Sequence, residues 1–576
     1  MKKKLIYILW MASTYIVVAQ NKYKLSVMNT DSEAIFKKID YKKEFQSLTD
    51  LNKELNVIYL SLLENGYVMA SIDSLKNDSL NYLAYVVCGK KHTWVDLHYH
   101  QNQKEVITKL GYNEHFFSKR PFRYTEVATL MEKMIVYYEN NGYPFALAKL
   151  DSLQFKNETV SAHIKVEKNI FIKLDSLVID GNVVVHQKFI SRYLNIKNGM
   201  PYNERAFNSV SSKIKQLPFL VESKPAILKL TNKQNKLFLF LDKRNASQFD
   251  GIVGILPDNK GKTIITGDLK IKLVNSLLKN GETVDLNWRR LQSQTQDLKL
   301  NLIYPYLFGL PFGADYGIKL YKKDSAFIDV NNTIGFNYYY SGLNHVKAFY
   351  KQRNANLIST NGLSSITVLP DYADIQTKSY GLGFLYEKFD YRFNPKKGFS
   401  CNIIGSIGNR EIKKNQKIND AAYADVALKS SQYQLEFNTT AYLKIYKNNI
   451  IKISTQLASL FGNVIYKNEL FRIGGLRTLR GFDEESIYAS TYVIPTIEYR
   501  FLFEKNSNIF IFAEGAWYEN NSNNNYLNDT PLSFGAGINF ETKAGIFNLG
   551  YALGKQRGNN FELQTGKIHA GLTALF

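Results

Sequence analysis

From about Gln248 to Phe576 apolar and polar residues alternate, and this limits what the chain can fold into more than any other feature. Leu298, Leu300, Leu302, Tyr304 and Tyr306 alternate with Asp297, Lys299 and Asn301. Val284, Leu286 and Trp288 alternate with Asp285, Asn287 and Arg289, and Tyr433, Leu435 and Phe437 with Gln434, Glu436 and Asn438. A period of two puts each set on its own face of a strand. Large apolar residues on one face and charges on the other fit a wall between lipid and a wet lumen. A soluble sandwich hides its apolar face and uses shorter strands. No segment approaches the roughly 20 apolar residues of a membrane helix. If the chain spans a membrane it must therefore close its sheet, because an open edge leaves backbone groups unpaired in lipid. Sixteen strands are expected, the first near Asp250, the eleventh near Ile450, the twelfth near Tyr492, the thirteenth near Phe510 and the last near Ile568.

The front half repeats itself. Glu64-Asn65-Gly66-Tyr67 recurs as Asn140-Asn141-Gly142-Tyr143, a step of 76 residues, with Asp-Ser-Leu following at Asp73 and Asp151. The same step lands on Phe219 of Gln216-Leu217-Pro218-Phe219-Leu220, so three units are expected. A helix precedes each landmark. Its apolar face is Leu51, Leu55, Ile58, Tyr59 and Leu62 in the first unit, Val127, Leu130, Met131, Met134, Ile135 and Tyr138 in the second, and Phe207, Val210 and Ile214 in the third. Glycine after asparagine stops the first two helices, since it tolerates a left-handed cap. The expected order is a leading strand such as Ile172 to Ile179, two helices, and two strands, a small α+β module. Predicted boundaries are 20–91, 92–168 and 169–246, with a barrel over 247–576.

Composition excludes little and supports this reading. Aromatic residues make up 14% of the 576 residues, which suits interfacial girdles. The formal charge is +22, but the 73 basic residues are dispersed, so no nucleic-acid footprint is expected. Anionic lipid and solvated surface charge are the two remaining readings. Cys88 and Cys401 fall in different domains, and no disulfide or metal-ligand spacing follows from them. Lys2-Lys3-Lys4 ahead of an apolar run to Val18-Ala19 predicts a cleaved secretory signal over 1–19. The competing reading is an uncleaved anchor, for which the run is short.

One run breaks the strand pattern: Phe471-Arg472-Ile473-Gly474-Gly475-Leu476-Arg477-Thr478-Leu479-Arg480-Gly481-Phe482. Taken alone it reads equally as an exposed basic loop. Its core, Leu479-Arg480-Gly481-Phe482, with Gly474-Gly475 upstream, resembles the loop-six signature of the BamA/TamA-type outer-membrane assembly superfamily. In that family the loop folds back into the barrel and its arginine meets an acid in a Phe-x-Asp-x-Gly wall motif. The corresponding residues here are Phe512-Ala513-Glu514-Gly515-Ala516, with Glu for Asp and Ala for the second glycine. The resemblance implies loop six at 465–487, Arg480 of that loop paired with Glu514 on the barrel wall, and α+β periplasmic POTRA modules ahead of a 16-stranded antiparallel transmembrane β-barrel. Three modules are closest to the TamA-like members.

The last strand ends in Ile568, Ala570, Leu572, Ala574 and Phe576 at every second position, without a tail. Closure then depends on a first strand holding Gly251, Gly254 and Pro257, all poor ladder formers. A weak lateral seam between Gly251, Gly254, Ile568, Leu572 and Phe576 is the mechanistic expectation. The resemblance implies a non-enzymatic factor without cofactors, in the outer membrane of a Gram-negative cell with its modules in the periplasm. Its partners would be unfolded outer-membrane or secreted polypeptides, lipid and lipopolysaccharide, and an accessory periplasmic or inner-membrane protein. The alternatives are a two-partner secretion pore, which normally has two modules, and a passive channel with binding modules. No nucleophile elbow, zinc-protease motif, phosphate loop or dinucleotide fingerprint occurs, and the histidines, His100 and His345 among them, are scattered.

Overall fold

A computed structural model describes residues 22–29, 39–118, 120–231, 234–257, 263–292, 295–392, 394–523, 525–542 and 545–576, so the predicted signal segment lies outside the described residues. The chain divides into two compact units, residues 1–173 with 201–204, and residues 174–200 with 205–576.

The first unit holds two modules. Strands run from Tyr23 to Val87 in one and from Trp94 to Glu167 in the other. Helix α1 (Leu48–Glu64) starts where the Ser47 hydroxyl accepts a bond from the Asp50 N–H at 3.1 Å, and it buries Leu51, Leu55, Ile58 and Leu62. The second module has α2 (Lys104–Lys109) and α3 (Tyr124–Glu139), the latter burying Val127, Leu130, Met134 and Tyr138. In each, the first strand lies parallel to the last: Lys24–Asn29 beside Asn81–Val86, and Trp94–Tyr99 beside Thr159–Ile164.

The repeated motifs mark joints and bulges. Gly66 accepts the His92 N–H at 2.8 Å, and Gly142 accepts that of Ile172 at 2.8 Å. Both glycines have positive φ, and a Cβ on either would strike the crossing chain, His92 at one and Phe171 at the other. The repeated Asp-Ser-Leu is where each outer strand slips register, between Ile72 and Ser74 and between Asp151 and Gln154. Such bulges blunt an edge against pairing.

The second unit contains a third module and the barrel. The module's parallel pair is Ser176–Asp180 with Lys236–Phe240. Its regular leading strand is shorter than expected. Helix α4 (Gln187–Leu194) is intact, but the single helix expected through Phe207, Val210 and Ile214 is two five-residue pieces, α5 (Glu204–Asn208) and α6 (Val210–Ile214). Ser209 and Ser212 hydroxyls donate to the carbonyls of Ala206 and Ser209, a back-bonding that disfavours a continuous helix.

The barrel is closed and antiparallel. Its sixteen staves run from Gln248–Pro257 to Lys567–Leu575. The thirteenth is broken at Ala516 and the fourteenth at Thr530-Pro531. The alternation takes the expected form: Ile334, Phe336 and Tyr338 face outward on the sixth strand (Phe327–Ser341), while Asp329 and Asn337 are buried inside. Tyr306 departs from expectation. The fourth strand (Thr295–Tyr304) ends before it, and Tyr306 is buried in the turn against Phe189 of α4 and Tyr339. At the other end, the loops 358–374 and 413–428 form a small apolar core with Tyr466.

The turn between the second strand (Thr263–Val274) and the third (Thr283–Gln292) is organised by one carboxylate. Glu282 accepts the N–H groups of Leu277 and Leu278 on one oxygen, at 2.8 and 2.9 Å, and that of Asn280 on the other at 2.9 Å. Burial alone would raise its pKa, but the backbone donors outweigh burial and hold it below the ordinary carboxylate value. A depressed acid stabilises above its unfolded pKa, and that contribution is lost as pH falls through the folded pKa. Glu282→Ala strips three amides of their acceptor, an effect of about 1–3 kcal/mol. Hydrogen exchange at Leu277 and Leu278 is expected to rise at least about tenfold. Unchanged exchange at these amides would show the turn holds without Glu282.

Candidate functional site

The connection between the eleventh strand (Asn449–Phe461) and the twelfth (Thr491–Leu502) folds back as a hairpin, with Phe471–Ile473 paired to Ile487–Ala489. Gly474 and Gly475 turn the backbone at φ +113° and +90°. A Cβ on Gly474 would meet the Asp483 carbonyl at 2.3 Å. At the tip, Gly481 (φ +84°) lies against the fifteenth strand (Gly545–Lys555), where a Cβ would be 2.8 Å from the backbone of Leu553 and Gly554. Leu479 and Phe482 are buried in an apolar cluster with Ala516. Only a residue without a side chain fits at position 481 at that approach.

Arg480 reaches the thirteenth stave. Its Nη2 is 2.6 Å from Glu514 Oε1, its Nε donates to the same oxygen at 2.7 Å, and its backbone N–H donates to Oε2 at 2.8 Å. The guanidinium lies 3.4 Å over the Phe512 ring, a cation–π contact of about 0.5–2 kcal/mol. The expected pair is thus a pair in geometry, and Phe512 gains a defined part. Sequence reasoning missed the third member, Glu498 on the twelfth strand, which accepts Arg480 Nη1 at 3.0 Å and Arg500 Nε at 2.6 Å. Its only local signal is an acid on the inward position between Ile497 and Tyr499, in the strand that follows the loop.

Further anchors surround the hairpin. Arg289 on the third strand bonds Glu484 at 2.7 Å, Glu485 at 2.5 Å and Asp297 at 3.0 Å. Arg472 pairs with Glu485 at 3.3 Å and lies 3.4 Å over Tyr321. Lys567 on the last strand reaches Asp483 at 2.7 Å. The most buried anchor is Arg410 on the ninth strand (Gly398–Ile412) with Glu469 at the base of the loop, whose side chains are 2% and 0% exposed. Arg410 Nε and Nη2 each donate at 2.8 Å to a different Glu469 oxygen, and Gln432 Nε2 adds a third bond at 2.8 Å. Breaking such a pair from one side costs about 3–5 kcal/mol. Glu469→Gln is therefore expected to raise protease sensitivity across 466–490 while the barrel still folds; an unchanged digestion pattern would remove this anchor's role. Water-sized space remains around the hairpin, about 180 Å³ beside Arg480, Glu498 and Glu514 and about 540 Å³ between Arg472 and strands four to seven.

The seam joins the first strand to the last as anticipated and includes Phe576, but it is shorter than anticipated and leaves out the other four residues expected in it. Among the described residues the first strand meets the last only at Gln248 with Leu575, Phe249 with Ala574 and Asp250 with Thr573, plus the Phe576 N–H on the Ser247 carbonyl at 2.9 Å. Gly251 and Gly254 pair only with the second strand, and Ile568 and Leu572 only with the fifteenth. They flank an unzipped stretch rather than forming the closure, because the ladder stops at Asp250.

Fold and site together define an outer-membrane barrel with a tethered hairpin in its lumen and modules ahead of it. The chain belongs to the Omp85 superfamily, whose domain model matches residues 277–569. Among solved structures it is similar to CdiB from Acinetobacter baumannii, at 13% identity over 92% of this chain and 97% of that one, with a TM-score of 0.52. CdiB from Escherichia coli gives 11% identity, 92% and 98% coverage and a TM-score of 0.53. BamA from Haemophilus ducreyi lacking POTRA domains 1–3 gives 16% identity, 84% and 99% coverage and a TM-score of 0.43. No curated protein matches the chain in sequence.

Proposed function

We propose that this protein inserts or translocates polypeptides at the outer membrane without enzymatic chemistry, its modules in the periplasm receiving extended clients and its seam admitting them. The short ladder at Gln248–Asp250 is the observation that carries this reading. A barrel meant only as a passive channel has no use for an unzipped wall. Gly251 to Pro257 and Lys567 to Leu572 present strand edges to an incoming strand, which pairs through main-chain bonds regardless of sequence. In the modules the bulged outer strands resist such addition. Ser176–Asp180 of the third module has no strand on its outer side among the described residues and is the better receiving edge. The two-partner secretion reading is less favoured because three modules, rather than two, precede the barrel. Depletion followed by proteomics of the outer-membrane fraction tests the proposal. Selective loss of barrel proteins is expected, and an unchanged fraction with one missing secreted protein would move the protein to the secretion class.

A further inference from the structure

Two turns at the module-side end of the barrel hold large apolar side chains out from the protein. Phe308, between the fourth strand and the fifth (Phe312–Lys323), is 92% exposed, and Leu277 and Leu278, between the second and third, are 63% and 56% exposed. Val184 of the third module, whose carbonyl accepts Asn275 Nδ2 at 3.2 Å, is exposed beside them. Neither turn is slack. Tyr306 and Phe308 adopt φ of +53° and +52°, which bulky residues rarely do, with Tyr306 buried beneath. The other turn is fixed by the three bonds to Glu282, and Asn275 and Lys279 are left-handed there as well. Strained backbone and a dedicated carboxylate hold apolar tips outward, where free collapse would have tucked them in.

The surroundings identify what covers them. Phe312, four residues beyond Phe308, stacks at 5.2 Å on Phe336 and lies 5.5 Å from Tyr338, both on the outward face of the sixth strand. The turn that exposes Phe308 thus leads directly into the lipid-facing aromatic surface. Cations flank the tips: Lys188 is exposed on α4, its Cβ 4.0 Å from a Cβ built on Gly309, and Lys279 sits in the Leu277 turn, its ammonium 2.7 Å from the Ser276 carbonyl. Apolar tips bordered by lysines match a leaflet's acyl boundary and its phosphates. We propose that both turns are seated in the leaflet on the module side, with Lys188 and Lys279 at anionic headgroups, so that the third module is held at the membrane surface next to the seam.

Nitroxide labels test this in the full chain carrying Cys88→Ser and Cys401→Ser, reconstituted in nanodiscs of phosphatidylcholine with or without phosphatidylglycerol. Single sites are Phe308→Cys and Leu278→Cys, with Leu382→Cys, outward on the eighth strand (Ile375–Phe389), and Ser223→Cys, exposed on the third module, as references. The expected ratio of oxygen to nickel-chelate accessibility at 308 and 278 follows that at 382 and not that at 223. Lys188→Gln with Lys279→Gln should lower it with phosphatidylglycerol present and leave it unchanged without. Nickel access at 308 and 278 equal to that at 223 overturns the proposal, as does protection from both reagents, which means a protein cover. Indifference to the lysine pair in both discs overturns the headgroup contact. Water access at 382 too would overturn the membrane-spanning reading itself.

Discussion

Arg480→Ala is expected to release the hairpin tip and destabilise the barrel. Glu514 is nearly buried, and without the Arg480 side chain its remaining partners are the backbone N–H of residue 480 at 2.8 Å and the Ser533 hydroxyl at 3.5 Å, neither of which carries a charge. Leaving one charge of such a pair costs about 3–5 kcal/mol when dry, and the adjoining 180 Å³ cavity can hydrate it, so about 3 kcal/mol is expected. Thermal unfolding in detergent and proteolysis of residues 474–486 report the two effects. A variant as stable and as resistant as the parent would show that the hairpin is held without this ion pair. A charge swap, Arg480→Glu with Glu514→Arg, looks like a natural rescue from the sequence. Glu498 argues against it, because the carboxylate introduced at position 480 would face a second acid where the Arg480 guanidinium now sits 3.0 Å away. Partial restoration is expected only when Glu498→Gln is added.

The second large effect concerns the seam. Each net backbone hydrogen bond contributes about 0.5–1.5 kcal/mol, so a ladder over three positions opens at a cost of a few kcal/mol, which thermal motion reaches. The sixth and seventh strands, by contrast, pair from Phe327 with Leu357 to Ser341 with Asn344. A disulfide between Phe249→Cys and Ala574→Cys, which face each other, should remove this freedom. With Cys88 and Cys401 replaced by serine, client insertion is expected to fall to background under oxidising conditions and return on reduction. Full activity of the oxidised form would sink the lateral opening while leaving the fold untouched.

Much of the architecture was legible in the chain because a strand's periodicity is local. Leu298 to Tyr304 declare an outward face without reference to anything distant, and a count of such runs yields sixteen staves. The landmark at Gly66 and Gly142 was visible as a repeat, though its use as a joint against His92 and Ile172 was not, since those contacts come from the next module. Likewise the Asp-Ser-Leu repeat was visible, but its bulge is a property of two paired strands. The helix expected through Phe207 failed because apolar spacing counts one face and ignores the serine hydroxyls competing for the backbone.

The lumen shows the same division. Arg480 and Glu514 were readable because a known motif names both. Glu498, Arg289 with Glu484, and Arg410 with Glu469 carry no such label. Arg289 and Glu484 are 195 residues apart, on a strand and a loop that meet only once the cylinder closes.

Sequence by itself determined that residues 248–576 form a two-faced sheet that must close in lipid, that three α+β units precede it, and that a glycine–arginine run interrupts it. Those conclusions follow from side-chain order and from the cost of unpaired backbone in hydrocarbon. Only the tertiary structure decided which charges neutralise one another inside the barrel and how far the first strand zips to the last. Both depend on the stagger of strands around the wall, a cooperative outcome of every pairing at once that no single segment encodes.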